Sequence, residues 1–92
     1  SEKQIIWAND LRNKFINDIE KMKEESKKDE GLKILNMYFY NAGIRNTNIT
    51  FDLIEKTLNS ILKQKDDATF YIDNRSERAI DVIITEIKTN NN

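Results

Sequence analysis

The side chains best suited to contact another molecule lie in one short polar stretch, residues 73–78, whose sequence is DNRSER. Arg75 and Arg78 each carry a guanidinium that is always charged and offers several hydrogen-bond donors to an anion. Asp73 and Glu77 stand beside them, and ion pairs in a solvated turn have little energetic weight. Two interpretations therefore remain open: a local anion-binding site, or a salt-bridged surface turn.

Catalytic chemistry is not indicated elsewhere in the chain. The sequence contains no Cys and no His, so it lacks a thiolate nucleophile, the usual zinc ligands and the side chain that titrates near neutral pH. We find no glycine-rich phosphate loop or nucleophile motif, and no spacing of carboxylates that argues for a general acid–base pair in a pocket. We therefore predict a protein that is not an enzyme and has no metal site and no cofactor.

Length and charge narrow the class of protein further. The 92 residues fit one small domain, residues 1–92, and carry a net charge of −1, so attraction to an anionic partner must come from a local patch. The longest apolar runs, IIWA and MYFY, have four residues each, which is too short for a membrane span or a signal peptide. We predict a cytoplasmic protein that does not contact a membrane.

Apolar residues spaced three and four apart predict three helices, at residues 3–27, 30–42 and 50–65. The residues that share one face in these helices are, in order, Ala8, Leu11, Phe15, Ile19 and Met22; Leu32, Leu35, Phe39 and Ala42; and Phe51, Ile54, Leu58, Ile61 and Leu62. Such amphipathic helices bury one face against a common core.

The helix ends carry their own signals. Asp29 is a suitable cap for the second helix, and either Asn48 or Thr50 for the third. Gly43 suits the left-handed position just after the second helix, and Ile44 suits the hydrophobic contact that accompanies a Schellman ending. The end of the second helix is therefore the best-defined boundary in the chain.

The apolar face of the first helix is unusually wide, because Trp7, Ile5 and Ile16 extend it. A face this wide in a small chain can contact both the core and a second subunit, which predicts a homodimer formed through the N-terminal helix. The alternative is that all these side chains pack in the core, as helical aromatic residues usually do.

The last segment supports two structures. As a helix, it begins with a capping box of Asn74 and Glu77, and it would complete an all-α four-helix bundle. One face of that helix would carry Ile80, Ile83, Ile84 and Ile87. Val82 would then lie on the polar side, and the run is rich in β-branched residues, which fit strands better than helices.

As a hairpin, the segment at residues 68–88 consists of a strand ATFYID, a tip NRSER and a return strand AIDVIITEI. Ile80, Val82 and Ile84 then share one face of the return strand, as the two-residue period of a strand requires. Because composition favours strand, we predict an α+β fold of three helices and a C-terminal two-stranded ribbon, followed by a frayed tail at residues 89–92.

This order of elements resembles a winged helix-turn-helix domain, in which the ribbon is called the wing. The stretch NRSERAIDVIITE is similar to the wing of MarR-type regulators, where a charged tip that contains Arg runs into a strand ending in an apolar residue, Thr and Glu. The loop from Gly43 to Asn48 is longer than the tight turn of a regular helix-turn-helix. The additional dimerisation helices of MarR-type proteins are also missing.

The resemblance implies a DNA-binding protein that acts on double-stranded, AT-rich sites, either as a dimeric transcription regulator or as a plasmid or phage accessory factor. The wing would insert its arginines into a narrow minor groove. The residues expected to contact DNA are Arg75, Arg78, Asn74 and Ser76 of the wing tip and Arg45, Asn46, Thr47, Asn48 and Thr50 before the third helix.

The competing class is an all-α protein-interaction module, such as an antitoxin, an immunity factor or a phage-encoded inhibitor. Near-neutral charge suits it, and Trp7, Tyr38 and Tyr40 are the kinds of residue that anchor interfaces. Tyr40 points away from the buried face of the second helix and is therefore expected to be exposed.

Overall fold

The computed structural model describes residues 2–44, 51–65 and 67–90. Within these ranges the chain forms helices and no strand. The helices are α1 (Glu2–Glu25), α2 (Asp29–Asn41), α3 (Phe51–Gln64), α4 (Ala68–Asp73) and α5 (Ala79–Asn90). The first three correspond to the helices predicted from apolar periodicity, and their ends lie within two residues of the predicted limits.

The predicted wing is wrong, and the fold is all-α rather than α+β. Residues 68–88, expected to form a hairpin, contain α4 and most of α5. α4 begins where the Asp67 side chain accepts a hydrogen bond of 2.9 Å from the backbone N–H of Thr69, which is the contact of a helix N-cap. The segment ATFYID is therefore a short capped helix and not a first strand.

α5 is misread as a strand because it is buried on more than one side. It packs against both α1 and α3. Its buried residues are Ile80, Val82, Ile83, Ile84 and Ile87. A helix that is apolar over most of its circumference loses the 3.6-residue pattern, and a short apolar run of β-branched residues then looks the same in a strand and in a buried helix. Val82, expected on a polar side, is buried for this reason.

The core forms where α1, α2 and α3 meet α5. α4 packs along α1 and adds Tyr71 to the buried side chains. The fully buried residues are Ile19 of α1, Phe39 of α2, Ile54 and Ile61 of α3, and Ile83 of α5. Each of the predicted helix faces therefore supplies at least one core residue, although the side chain of Phe51 lies outside what the structure describes.

Of the two predictions for the ends of α2, the one for the C-terminus is confirmed and the one for the N-terminus is wrong. At its C-terminus Gly43 has a φ of 88°. The Ile44 N–H donates to the Phe39 carbonyl at 3.0 Å, and the Gly43 N–H donates to the Tyr40 carbonyl at 3.0 Å. These are the two bonds of a Schellman motif, as predicted. At its N-terminus the cap residue is Lys28, which makes no side-chain capping bond, so the predicted cap at Asp29 is wrong.

α1 and α2 meet closely at a tight connection. The Ser26 hydroxyl donates to the Lys23 carbonyl at 3.0 Å and is buried. A Cβ atom added to Gly31 would overlap the Glu25 carbonyl oxygen, so the first turn of α2 lies directly against the backbone at the end of α1. Only glycine permits this approach. The predicted caps of α3, Asn48 and Thr50, lie outside the described residues.

Candidate protein-interaction surface

The polar stretch at residues 73–78 forms the turn between α4 and α5. Asn74 caps the C-terminus of α4, and its side-chain N–H donates to the Phe70 carbonyl at 2.8 Å. Asn74 therefore does not begin α5 in a capping box, and Ser76 and Glu77 are exposed in the turn. The tip of the expected wing is thus a short helix–helix connection that lies against the body of the protein.

Arg75 is held by two contacts within the chain. Its side-chain N–H donates to the Ile72 carbonyl at 2.6 Å, and its guanidinium lies 5.5 Å from the ring centroid of Trp7 on α1. This is the distance range of a cation–π contact. The exposed side chain therefore lies along the protein surface, over the Trp7 ring of α1.

Arg78 is held in a similar way by α2 and α5. It donates to both carboxylate oxygens of Asp81, at 2.7 and 3.2 Å, and its guanidinium lies 4.8 Å from the ring centroid of Tyr38. The hydrogen bond to Asp81 is the main reason that the pKa of Arg78 is raised above its usual range. Both arginines predicted for the wing tip thus join helices of the same chain.

The other five residues of the predicted DNA-contacting set precede α3 in the sequence. These residues, Arg45, Asn46, Thr47, Asn48 and Thr50, lie outside the described residues. The described set of Arg75, Arg78, Asn74 and Ser76 is brought together in the single turn between α4 and α5.

A cleft of about 580 Å³ opens beside this turn, between α1 and α2. Its apolar lining includes Met22 of α1, Leu35 and Tyr38 of α2, and Ile80 of α5. Charged side chains line its edge. A cavity of this size, with an apolar lining and a few polar groups, falls in the range of sites that bind ligands or peptide side chains.

The exposed side of α2 continues from this cleft. Ile34 lines the cleft, and Ile34, Met37 and Tyr40 are 50, 52 and 57% exposed. Their three-residue spacing places them in one row along the helix, which we call the α2 row. The prediction that Tyr40 is exposed is confirmed.

Sequence reasoning missed Ile34 and Met37, although a signal was present. Seven of the nine residues at positions 32–40 are apolar, whereas one buried face of a helix accommodates about three or four in two turns. The excess had to be exposed on a helix that contributes only one side to the core. Counting apolar residues against the capacity of one face would have identified the α2 row.

A second group of exposed apolar residues lies near the start of α1. Ile5, Ile6 and Trp7 are 55, 62 and 44% exposed. They are consecutive and therefore point in different directions around the helix, and Trp7 is partly covered by Arg75. This group is less organised than the α2 row and does not line the large cleft.

No protein-family model matches the chain, and no curated protein or solved structure is significantly similar to it. In the described part of the chain, no helix is both long and apolar enough to cross a membrane. Residues 2–44, 51–65 and 67–90 also contain no group of three or more side chains arranged to hold a metal ion. The function is therefore inferred from the chain's own surface.

Proposed function

We propose that this protein is an all-α protein-interaction module, of the kind represented by antitoxins, immunity factors and phage-encoded inhibitors, that acts by covering part of a partner protein. The observation that carries this proposal is the α2 row. It exposes three large apolar side chains in register and runs into a cleft with an apolar lining.

The α2 row has the properties of an interface core. Contiguous exposed apolar side chains on a small protein mark interaction sites more often than isolated ones do, and Met and Tyr are enriched where proteins bind each other. Leu35 and Phe39, on the other side of α2, are buried in the core, so the helix that presents the row is firmly anchored. A partner would therefore meet a preorganised surface, which lowers the entropic cost of binding.

Electrostatics favour a protein partner over the duplex DNA that the sequence predicts. The net charge is −1, and the described arginines at the turn contact Asp81 and two aromatic rings. A DNA-binding mode that relies on a protruding wing has no hairpin to use in residues 67–90. The proposal keeps the cytoplasmic location predicted from the sequence.

Dimerisation through α1 is a separate proposal with its own surface, formed by Ile5, Ile6 and Trp7. A second copy would cover these exposed side chains. Substitution of Ile6 by Lys is expected to shift a dimer to monomer in sedimentation equilibrium, and a monomeric wild-type protein at high concentration would contradict the proposal.

The test of the main proposal compares two matched substitutions. Met37→Lys introduces a charge into the α2 row, and Asn59→Lys introduces the same charge at an exposed site on α3, away from both proposed surfaces. We expect wild-type protein and Asn59→Lys to recover the same stoichiometric protein from cell extract, and Met37→Lys to lose it. Calorimetry with the purified partner must then reproduce the difference.

The proposal is overturned if calorimetry gives Met37→Lys and Asn59→Lys the same affinity for the purified partner. It is also overturned if no protein partner is recovered and the chain instead binds duplex DNA in a titration at low salt.

A further inference from the structure

The charges around the large cleft are unevenly compensated. On its edge, Lys14 and Asp18 of α1 pair with each other at 3.0 Å. Arg78 pairs with Asp81, and Arg75 is bound to a backbone carbonyl and lies over the Trp7 ring. Each cation that lines the cleft is therefore already engaged by a group of the same chain.

Two carboxylates on the same edge are not engaged. Glu25 comes from the end of α1 and Glu77 from the turn before α5, and both line the cleft. Neither side chain makes a hydrogen bond or an ion pair with another residue in the described ranges. Arg75 keeps its positive charge, because a backbone carbonyl and an aromatic ring are neutral. The lining side chains together with Asp81 therefore carry a net charge of −1, and the two unpaired carboxylates come from separate elements.

The cleft that these carboxylates line also has an apolar lining, which includes a residue of the exposed side of α2. Met22, Leu35 and Ile80 line the cleft, and Ile34 connects it to the α2 row. A ligand that fits both features must carry apolar groups and positive charge together. It must also be long enough to reach from the cleft along α2.

We infer that the cleft binds an amphipathic helix of a partner protein, with apolar side chains against Met22, Leu35 and Ile80 and with Lys or Arg side chains facing Glu25 and Glu77. This inference rests on the proposed function and specifies its partner. A helix is the form that matches the site, because helix-in-groove recognition uses apolar anchors on one face. The described residues offer no sheet edge to which an extended peptide could add a strand.

The binding probe is a synthetic helical peptide of Leu and Lys. Its Leu residues follow the spacing i, i+3, i+4, i+7, which places them on one face of the helix. A second peptide replaces each Lys by Glu, and a third contains a central Pro that prevents a continuous helix. Binding to the full chain is measured by calorimetry, and the site is located by amide chemical-shift changes in ¹⁵N-labelled protein.

We expect the Leu/Lys peptide to bind with shift changes centred on Met22, Ile34, Tyr38 and Ile80, and the other two peptides to bind much more weakly. Replacing Glu25 and Glu77 together by Gln should weaken binding roughly fivefold to tenfold, since each exposed ion pair contributes modestly. The matched control is Glu2→Gln with Glu30→Gln, which removes the same charge from exposed residues outside the cleft. It should leave the affinity within about twofold.

Equal or tighter binding of the Leu/Glu peptide, undiminished binding of the Pro peptide, or shift changes away from the cleft would overturn the inference. So would the absence of any binding by the Leu/Lys peptide. If that peptide fails while Met37→Lys still abolishes capture of a partner protein, the proposed function stands and the cleft inference alone is wrong. If the peptide binds as expected but no partner protein is found, the proposed function fails separately.

Discussion

Helices α2 and α5 are both rich in large apolar residues but use them differently. α5 buries Ile80, Val82, Ile83, Ile84 and Ile87, whereas α2 buries only Leu35 and Phe39 and exposes the α2 row. The difference comes from position. α5 has α1 and α3 against it, while α2 contributes one side to the core. The apolar composition of a helix thus indicates how much apolar surface must be buried. The neighbouring helices determine whether that surface is buried on folding or is left exposed for a partner.

The largest expected effect is a difference in stability between substitutions in α5 and substitutions in the α2 row. Ile83→Ala removes a fully buried side chain from α5 and should lower the free energy of unfolding by about 2–4 kcal/mol. Met37→Ala removes a half-exposed side chain from α2 and should change it by less than about 0.5 kcal/mol. Urea denaturation measures both. Similar losses at the two positions would contradict the division between a folding helix and a binding helix.

A smaller loss of stability is expected from substitutions at the glycines that flank α2, the first of which lies against α1. Gly31→Ala places a methyl group against the Glu25 carbonyl oxygen, so α2 must move away, at a cost of about 1–3 kcal/mol. Gly43→Ala at the other end has free space around it and should cost about 1–2 kcal/mol, because its positive φ is unfavourable for alanine. Chemical shifts should change along α2 in the first variant. If they remain unchanged, the close contact does not set the position of α2.

The N-cap of α4 should contribute to the free energy of unfolding about as much as helix caps usually do. Asp67→Ala removes the acceptor of the Thr69 N–H and should lower the free energy of unfolding by about 1 kcal/mol. Asp67→Asn keeps a capping oxygen and should retain most of the stability that Asp67→Ala loses. Hydrogen exchange should accelerate in α4 and remain slow in α5. Equal loss in both variants would show that capping is not the source of the effect.

The smallest expected effect concerns the ion pair between Lys23 of α1 and Glu55 of α3. The hydrogen bond with Glu55 raises the pKa of Lys23 above its ordinary value, so the pair stabilises the folded state at neutral pH. This contribution is lost as the pH rises through the raised pKa, because Lys23 then becomes neutral in the folded protein. Since both side chains are partly exposed, the contribution should be below about 1 kcal/mol.

The measurement is the difference in unfolding free energy between wild type and Glu55→Gln, followed from about pH 8 to about pH 11. We expect the difference to shrink as the pH rises. A difference that is constant over this range would mean that the titration of Lys23 does not control the interaction.

Most of the helical framework could be predicted from the sequence, because the buried apolar residues of α1, α2 and α3 recur with the period of a helix. The end of α2 was also predictable, since Gly43 and Ile44 carry the local signal of a Schellman motif. Residues 68–88 were not. There the identity of the element depends on α1 and α3 packing on both sides of α5, and that information is tertiary.

The candidate site was predictable only in part. The exposure of Tyr40 follows from its position on the helix, and the excess of apolar residues in α2 indicates an exposed row. The cleft depends on the relative placement of α1, α2 and the turn before α5, which periodicity does not determine. The cation–π contacts of Arg75 and Arg78 depend on the same placement. The sequence therefore predicts protruding side chains, whereas the structure places them over aromatic rings of α1 and α2.

The contact between Arg75 and Trp7 has a practical consequence. Trp7 is the only tryptophan in the chain, and the guanidinium over its ring belongs to a residue that also lines the large cleft. The emission of a single indole is sensitive to a charge held near its face. The protein therefore contains an intrinsic optical sensor, in which a change of tryptophan fluorescence would report the displacement of one arginine without any added label.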